Sequence, residues 1–150
     1  MKTKKINIGS VSSGTMRPED LIPDFMWELR HQAPCKREHR ALLTEIKSRM
    51  EADDYYESEE SGWDLESLFD ALDDYTPPYF YFGAHPGDGA DYGYWLSESF
   101  EDDFDGLKVS DTADIPSTYY GEVLVVNDHG NMTLYRRAYN RRLVVLWELV

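Results

Sequence analysis

Apolar positions change their spacing twice along this chain. From Thr15 to Asp74 they recur every three or four residues, the period of helices with one buried face. After Pro77–Pro78 they alternate or crowd into short runs, as in strands. Ahead of both, Lys5–Val11 (KINIGSV) alternates polar and apolar residues and predicts a short first strand. TMRPEDLIPDFMWELRHQ then predicts a helix. Thr15 is placed to cap it, Pro18 suits its first turn, and Glu19 and Asp20 suit its positive end. Leu21, Ile22, Phe25, Met26 and Leu29 follow at helical spacing, and Pro23 is expected to kink the helix or set its true start. Lys36–Met50 predicts a second helix, apolar along Leu42, Leu43, Ile46 and Met50 and basic on its other face. Residues 51–60 are acidic and polar and are expected to form a mobile linker.

Ser61–Asp74 predicts a third helix, with Ser61 and Asp64 as an approximate capping box. Leu65, Leu68, Phe69 and Leu72 define its apolar face, and Asp64, Glu66, Asp70, Asp73 and Asp74 are assigned to the opposite one. Beyond the proline pair, Tyr79–Phe82 and Tyr92–Leu96 read as strands flanking a glycine loop, and Ser97–Asp103 as a short acidic helical turn. Leu107–Val109, Gly121–Val126, Met132–Arg137 and Leu143–Val150 read as further strands, with NDHGN as a hairpin turn in which Gly130 takes positive φ and Ala138–Arg142 as a second turn. Helices followed by antiparallel strands argue for α+β. The expectation is about three helices, then an antiparallel sheet of about five strands, with the helices packed on one face. No solenoid repeat is present. A length of 150 residues points to one domain whose core needs no disulfide or metal.

Charge sharpens this picture. The net charge is −14, and residues 51–114 alone hold 20 Asp/Glu against one lysine, Lys108. The same segment carries 14 of the 21 aromatic residues. Acidic segments poor in rings stay disordered, whereas rings among acids can build a core and anchor a partner. Direct binding of nucleic acid or an anionic membrane is disfavoured, because phosphate recognition requires clustered Lys/Arg. The single cysteine, Cys35, excludes an internal disulfide. MKTKKINIGS has no apolar run behind its lysines and no stretch reaches a membrane span, so a cytoplasmic location is expected.

Several residue groups invite chemistry. In YFYFGAHPGDGADYGYW, His85, Asp88 and Asp91 fall three apart beside Tyr92 and Tyr94. Two carboxylates and backbone carbonyls could hold a hard cation, but the run lacks the ligand pattern of an EF-hand, the second histidine of a zinc site and the spacing of a phosphate cradle. A bulged hairpin explains its glycines as well. Cys35 has His31 and His39 four residues to either side, yet Pro34 is expected to break the helix that would align them. His129 lies at a hairpin tip, where an inert exposed side chain is usual. The carboxylate pairs Asp53/Asp54, Asp73/Asp74 and Asp102/Asp103 read as solvated faces, since acid–base chemistry requires a cleft that perturbs a pKa.

The acidic segment taken whole carries the functional expectation. Acids three and four apart on a helix lie about 5–6 Å from one another, a spacing of the same order as phosphates along a DNA strand. Asp64, Glu66, Asp70, Asp73 and Asp74, with Asp88, Asp91, Glu98, Glu101, Asp102, Asp103 and Asp105, are the expected partner-binding acids, and Tyr92 and Trp95 the expected ring contacts. GTMRPEDLIPDFMWEL, YFYFGAHPGDGADYGYW and GEVLVVNDHGNMTLYRR resemble small acidic proteins of unknown function from phages, plasmids and other mobile elements of bacteria. That resemblance implies a setting, the binding of host defence machinery such as restriction or CRISPR nucleases, and no catalytic residues. The expected function is therefore a non-enzymatic acidic interaction protein, cytoplasmic and monomeric or a small oligomer, that binds the basic surface of a nucleic-acid-handling host protein, with a DNA mimic or a phage counter-defence inhibitor of the anti-CRISPR or anti-restriction type as its narrower forms. No cofactor or metal is expected. Two alternatives stay open: a small-ligand or metal-binding domain using the Tyr79–Trp95 loop, and an immunity-like partner that binds through the aromatic strands Tyr79–Phe82 and Leu143–Val150.

Overall fold

The computed structural model describes residues 6–140 and 142–150. The fold is α+β, and its strands form two sheets rather than one. The chain falls into two compact units that meet in sequence at Ser97 and Glu98.

The first unit runs β1 (Gly9–Ser13), α1 (Pro18–Arg30), α2 (Arg37–Arg49), α3 (Glu59–Asp73), β2 (Phe80–His85) and β3 (Asp88–Leu96). Its sheet has the order β1-β3-β2, antiparallel throughout. Phe82 faces Tyr94 and Ala84 faces Tyr92 across β2 and β3, so the rings at 82, 92 and 94 share one side of the pleat. Phe25 of α1 and Phe69 of α3 pack edge-on or tilted against Phe82 and Tyr92, with ring centroids 5.2–5.9 Å apart. Leu21, Ile22, Leu29, Leu68 and Leu72 complete this core at 0–1% exposure. The heptad-like spacing of these residues carries both helices onto the sheet.

Local chemistry moves three expected boundaries. The first strand runs from Gly9, because Asn7 turns inward and its Nδ2 donates to the Gln32 side chain and the Tyr75 carbonyl; Lys5, its expected start, lies outside the described residues. Helix α1 starts at Pro18 and continues through Pro23, so Pro23 does not set its start. Thr15 does not cap it; its hydroxyl donates to Asp20 and accepts the Arg17 N–H. The cap of helix α3 lies three residues before the expected one: Ser58 is the N-cap, and its hydroxyl accepts the Ser61 N–H. Within the 51–60 stretch, Tyr55–Glu57 forms a 3-10 turn, with the Tyr55 ring buried.

Gly93 is required by the first sheet. A Cβ there would lie 2.1 Å from the Gly9 carbonyl oxygen, which is backbone of the paired strand. Gly93→Ala is expected to cost at least about 1–3 kcal/mol, the penalty of overpacking where the neighbour cannot yield. Gly89→Ala, which meets open space, is expected to stay within about 0.5 kcal/mol of the parent. Urea unfolding of the two variants separates them.

The second unit runs α4 (Phe100–Asp103), β4 (Leu107–Val109), β5 (Gly121–Val126), β6 (Met132–Arg137) and β7 (Leu143–Leu149). Strands β5, β6 and β7 are antiparallel neighbours, as the sequence predicts. Strand β4 pairs with β5 in parallel, contrary to the expectation of a wholly antiparallel sheet. Leu134 faces Leu124 and Trp147, and Phe100 packs edge-on against Trp147 at 5.5 Å. Gly130 takes φ +80° in the β5–β6 turn, as expected.

Candidate functional site

At about 100° per residue, the wheel of α3 divides cleanly. Ser61, Asp64, Leu68, Ala71 and Leu72 are buried on one side. Glu59, Trp63, Glu66, Asp70 and Asp73 project from the other, followed by Asp74 just past the last turn, and all six are exposed. The result is an acidic stripe about four turns long with an indole in it. Trp63 is 60% exposed, and it is the one large exposed hydrophobic side chain between residues 51 and 114. Among the described residues no cation pairs with Glu59, Glu66 or Asp70. Asp70, Asp73 and Asp74 also sit at the end of the helix where the backbone dipole is negative, and no basic residue occupies the last turn.

Asp64 corrects the sequence reading. It lies one turn before Leu68, on the buried side, at 4% exposure. Arg49 of α2 holds it through two hydrogen bonds, Nε to Oδ2 at 2.9 Å and Nη2 to Oδ1 at 2.6 Å, and the Tyr55 hydroxyl donates to Oδ2 at 2.7 Å. Burial first, and then the bond to Asp64, push the Tyr55 phenol well above its ordinary pKa, so it stays a donor. Asp64 therefore ties α2, α3 and the 3-10 turn together and presents no charge to a partner.

The other expected contacts scatter. Asp73 is exposed, but its Oδ1 accepts the Phe82 N–H at 2.9 Å, which docks β2 to the end of α3. Tyr92 is 8% exposed and belongs to the core. Trp95 is half-buried, and its indole N–H donates to the Gly83 carbonyl. The strands consume most of the glycine loop and leave Pro86–Gly87 at its tip. There His85 Nδ1 accepts the Gly87 N–H, Asp88 accepts the Ala90 N–H, and Asp91 accepts the Ser10 hydroxyl. His85 packs edge-on against Trp95. These side chains are spent on shaping the hairpin and do not converge on a common point.

In the second unit Glu98, Glu101, Asp102, Asp103 and Asp105 are all exposed. The rings among them point inward: Phe100 is 2% and Phe104 6% exposed. This acidic stretch has charge without an exposed ring. His129 is exposed in its turn.

Around Cys35 the chain breaks as expected, with a cis Ala33–Pro34 bond between α1 and α2. His31 stacks on Trp27 at 4.0 Å. His39 is 7% exposed and lies at the start of α2, where its Nδ1 is 2.7 Å from the Tyr75 hydroxyl and its Nε2 3.3 Å from Asp74 Oδ2. Donor atoms of Glu38, His39 and Asp74 all lie within 4.8 Å of one another. The sequence reading missed both this cluster and Trp63. Trp63 was legible as the one ring on the polar side of the third helix; Asp74 lies 35 residues from His39, and no local spacing reveals that they meet.

No family model, curated protein or solved structure matches this chain. Among the described residues no helix is long and apolar enough to cross a membrane.

Proposed function

We propose that this chain is a non-enzymatic interaction protein whose α3 stripe binds the basic surface of a nucleic-acid-handling protein. The observation that carries the reading is Trp63, 60% exposed among Glu59, Glu66 and Asp70, which pair with no cation among the described residues. The two features divide the work. Clustered negative charge draws a basic partner over a distance and accelerates the encounter. A tryptophan then supplies the desolvated anchor that surface charge lacks. The stripe also opposes fold stability, since like charges three and four apart repel and the acids at its C-terminal end oppose the helix dipole. Lys36 reaches Asp74 at the end of the stripe, but among the described residues no cation relieves Glu59, Glu66 or Asp70, and charge kept at such a cost has a use. The stripe thus stands in for a phosphate backbone, and the resemblance to mobile-element proteins makes a host defence nuclease the favoured target class.

Capture from bacterial lysate at graded salt tests this reading. The expected result is a DNA- or RNA-handling protein retained at low salt and released as the ionic strength approaches 1 M, where screening falls to about 3 Å. A partner that stays bound at that salt shifts the contact from acids to rings and overturns the mimic.

A further inference from the structure

We infer that Glu38, His39 and Asp74 form a binding site for a zinc-class divalent metal ion. The site joins the first turn of α2 to the residue that ends α3, and three features of its geometry support a cation between them. Its imidazole is prepared. The His39 side chain is buried, at 9% exposure, and its Nδ1 lies 2.7 Å from the Tyr75 hydroxyl, which fixes the ring and aims Nε2 at Asp74. Tyr75 is itself held, because its oxygen accepts the Lys36 N–H at 2.8 Å. A ligating histidine oriented through its other nitrogen is the usual arrangement around a protein-bound metal.

The donor spacing also fits. Nε2 lies 3.3 Å from Asp74 Oδ2, the edge length of a tetrahedron with bonds of about 2.0–2.1 Å. Glu38 brings a second carboxylate within 4.8 Å of both, and its exposed side chain can close the remaining distance. One imidazole and two carboxylates offset the double charge of the ion and leave the fourth position to water. Lys36 Nζ, 3.7 Å from Asp74 Oδ2, is half exposed and turns to solvent when the ion binds. Magnesium and calcium are disfavoured, because both take oxygen ligands in larger number.

Calorimetric titration of the untagged full chain with Zn²⁺ tests the assignment, with the visible spectrum of Co²⁺ reporting coordination. One ion per chain is expected. Asp74→Asn and Glu38→Gln should each weaken binding by at least about tenfold, and Tyr75→Phe by roughly tenfold through the His39 ring. Glu38 and Asp74 are exposed, so their variants are expected to melt as the parent does. Cys35→Ser should leave affinity unchanged. No stoichiometric binding, undiminished binding in both carboxylate variants, or loss of binding in Cys35→Ser would each overturn the site.

Discussion

Asp64→Ala is expected to destabilise the first unit by about 3 kcal/mol, the lower end of the cost of breaking a buried ion pair. The lower end applies because the Arg49 side chain is one-third exposed and can turn to water once released. Tyr55 has no such exit: its buried hydroxyl loses the acceptor at 2.7 Å. Tyr55→Phe removes that donor cleanly and is expected to cost about 1.5 kcal/mol, as for a hydrogen bond to a charged group. The double variant should fall short of the sum, because both changes break one network. The alkaline limit follows from the same contact. The folded state holds the Tyr55 phenol protonated beyond its ordinary range, so stability falls as pH rises past about 10, where the unfolded chain releases that proton first. Urea unfolding measures all three effects. An Asp64→Ala cost under about 0.5 kcal/mol would mean a solvated acid on an outer face.

Trp63→Ala is expected to do the reverse, leaving stability within about 0.5 kcal/mol of the parent while weakening partner binding by about 2 kcal/mol, roughly 30-fold in Kd. The contrast with Trp147 makes the prediction specific. Trp147 is fully buried among Leu134 and Phe100, and its replacement by alanine should cost about 3–5 kcal/mol of stability. Isothermal titration with the captured partner, alongside thermal melts of both variants, distinguishes an anchor from a core residue. Equal binding by Trp63→Ala and the parent would reduce the indole to an incidental surface ring.

Local pattern was enough for much of the fold. The period-2 runs of β5 and β6 and the Asn127–Asn131 turn appear where alternation and glycine place them, and the inward faces of α1 and α3 follow from their apolar spacing. What local pattern cannot encode is pairing. The split into two sheets and the parallel β4–β5 contact depend on which strands meet, a matter of long-range packing. Asp64 shows a second limit. Its charge argues for solvent, yet its place one turn before Leu68 argues for the core, and the approach of Arg49 and Tyr55 decides between them. Asn7 is a third such case, a polar residue drawn inward by partners at Gln32 and Tyr75 and so lost to the expected strand. The candidate site was legible as charge but not as surface. Of the acids expected to bind, Glu66 and Asp70 lie on the stripe without a competing role, whereas Asp64 and Asp73 help to hold the fold.

The most direct test neutralises the stripe and compares it with the other acidic stretch. Glu59→Gln/Glu66→Gln/Asp70→Asn in one chain and Glu101→Gln/Asp102→Asn/Asp103→Asn in another remove three charges each, and the affinity of both for the captured partner is measured at low salt. The α3 variant is expected to lose binding while melting near the parent temperature, since relief of the Glu66–Asp70 repulsion offsets the loss of Glu59 at the positive end of the helix, and the second variant is expected to bind nearly as the parent does. Equal losses from both variants, or binding that survives neutralisation of α3, would contradict the account.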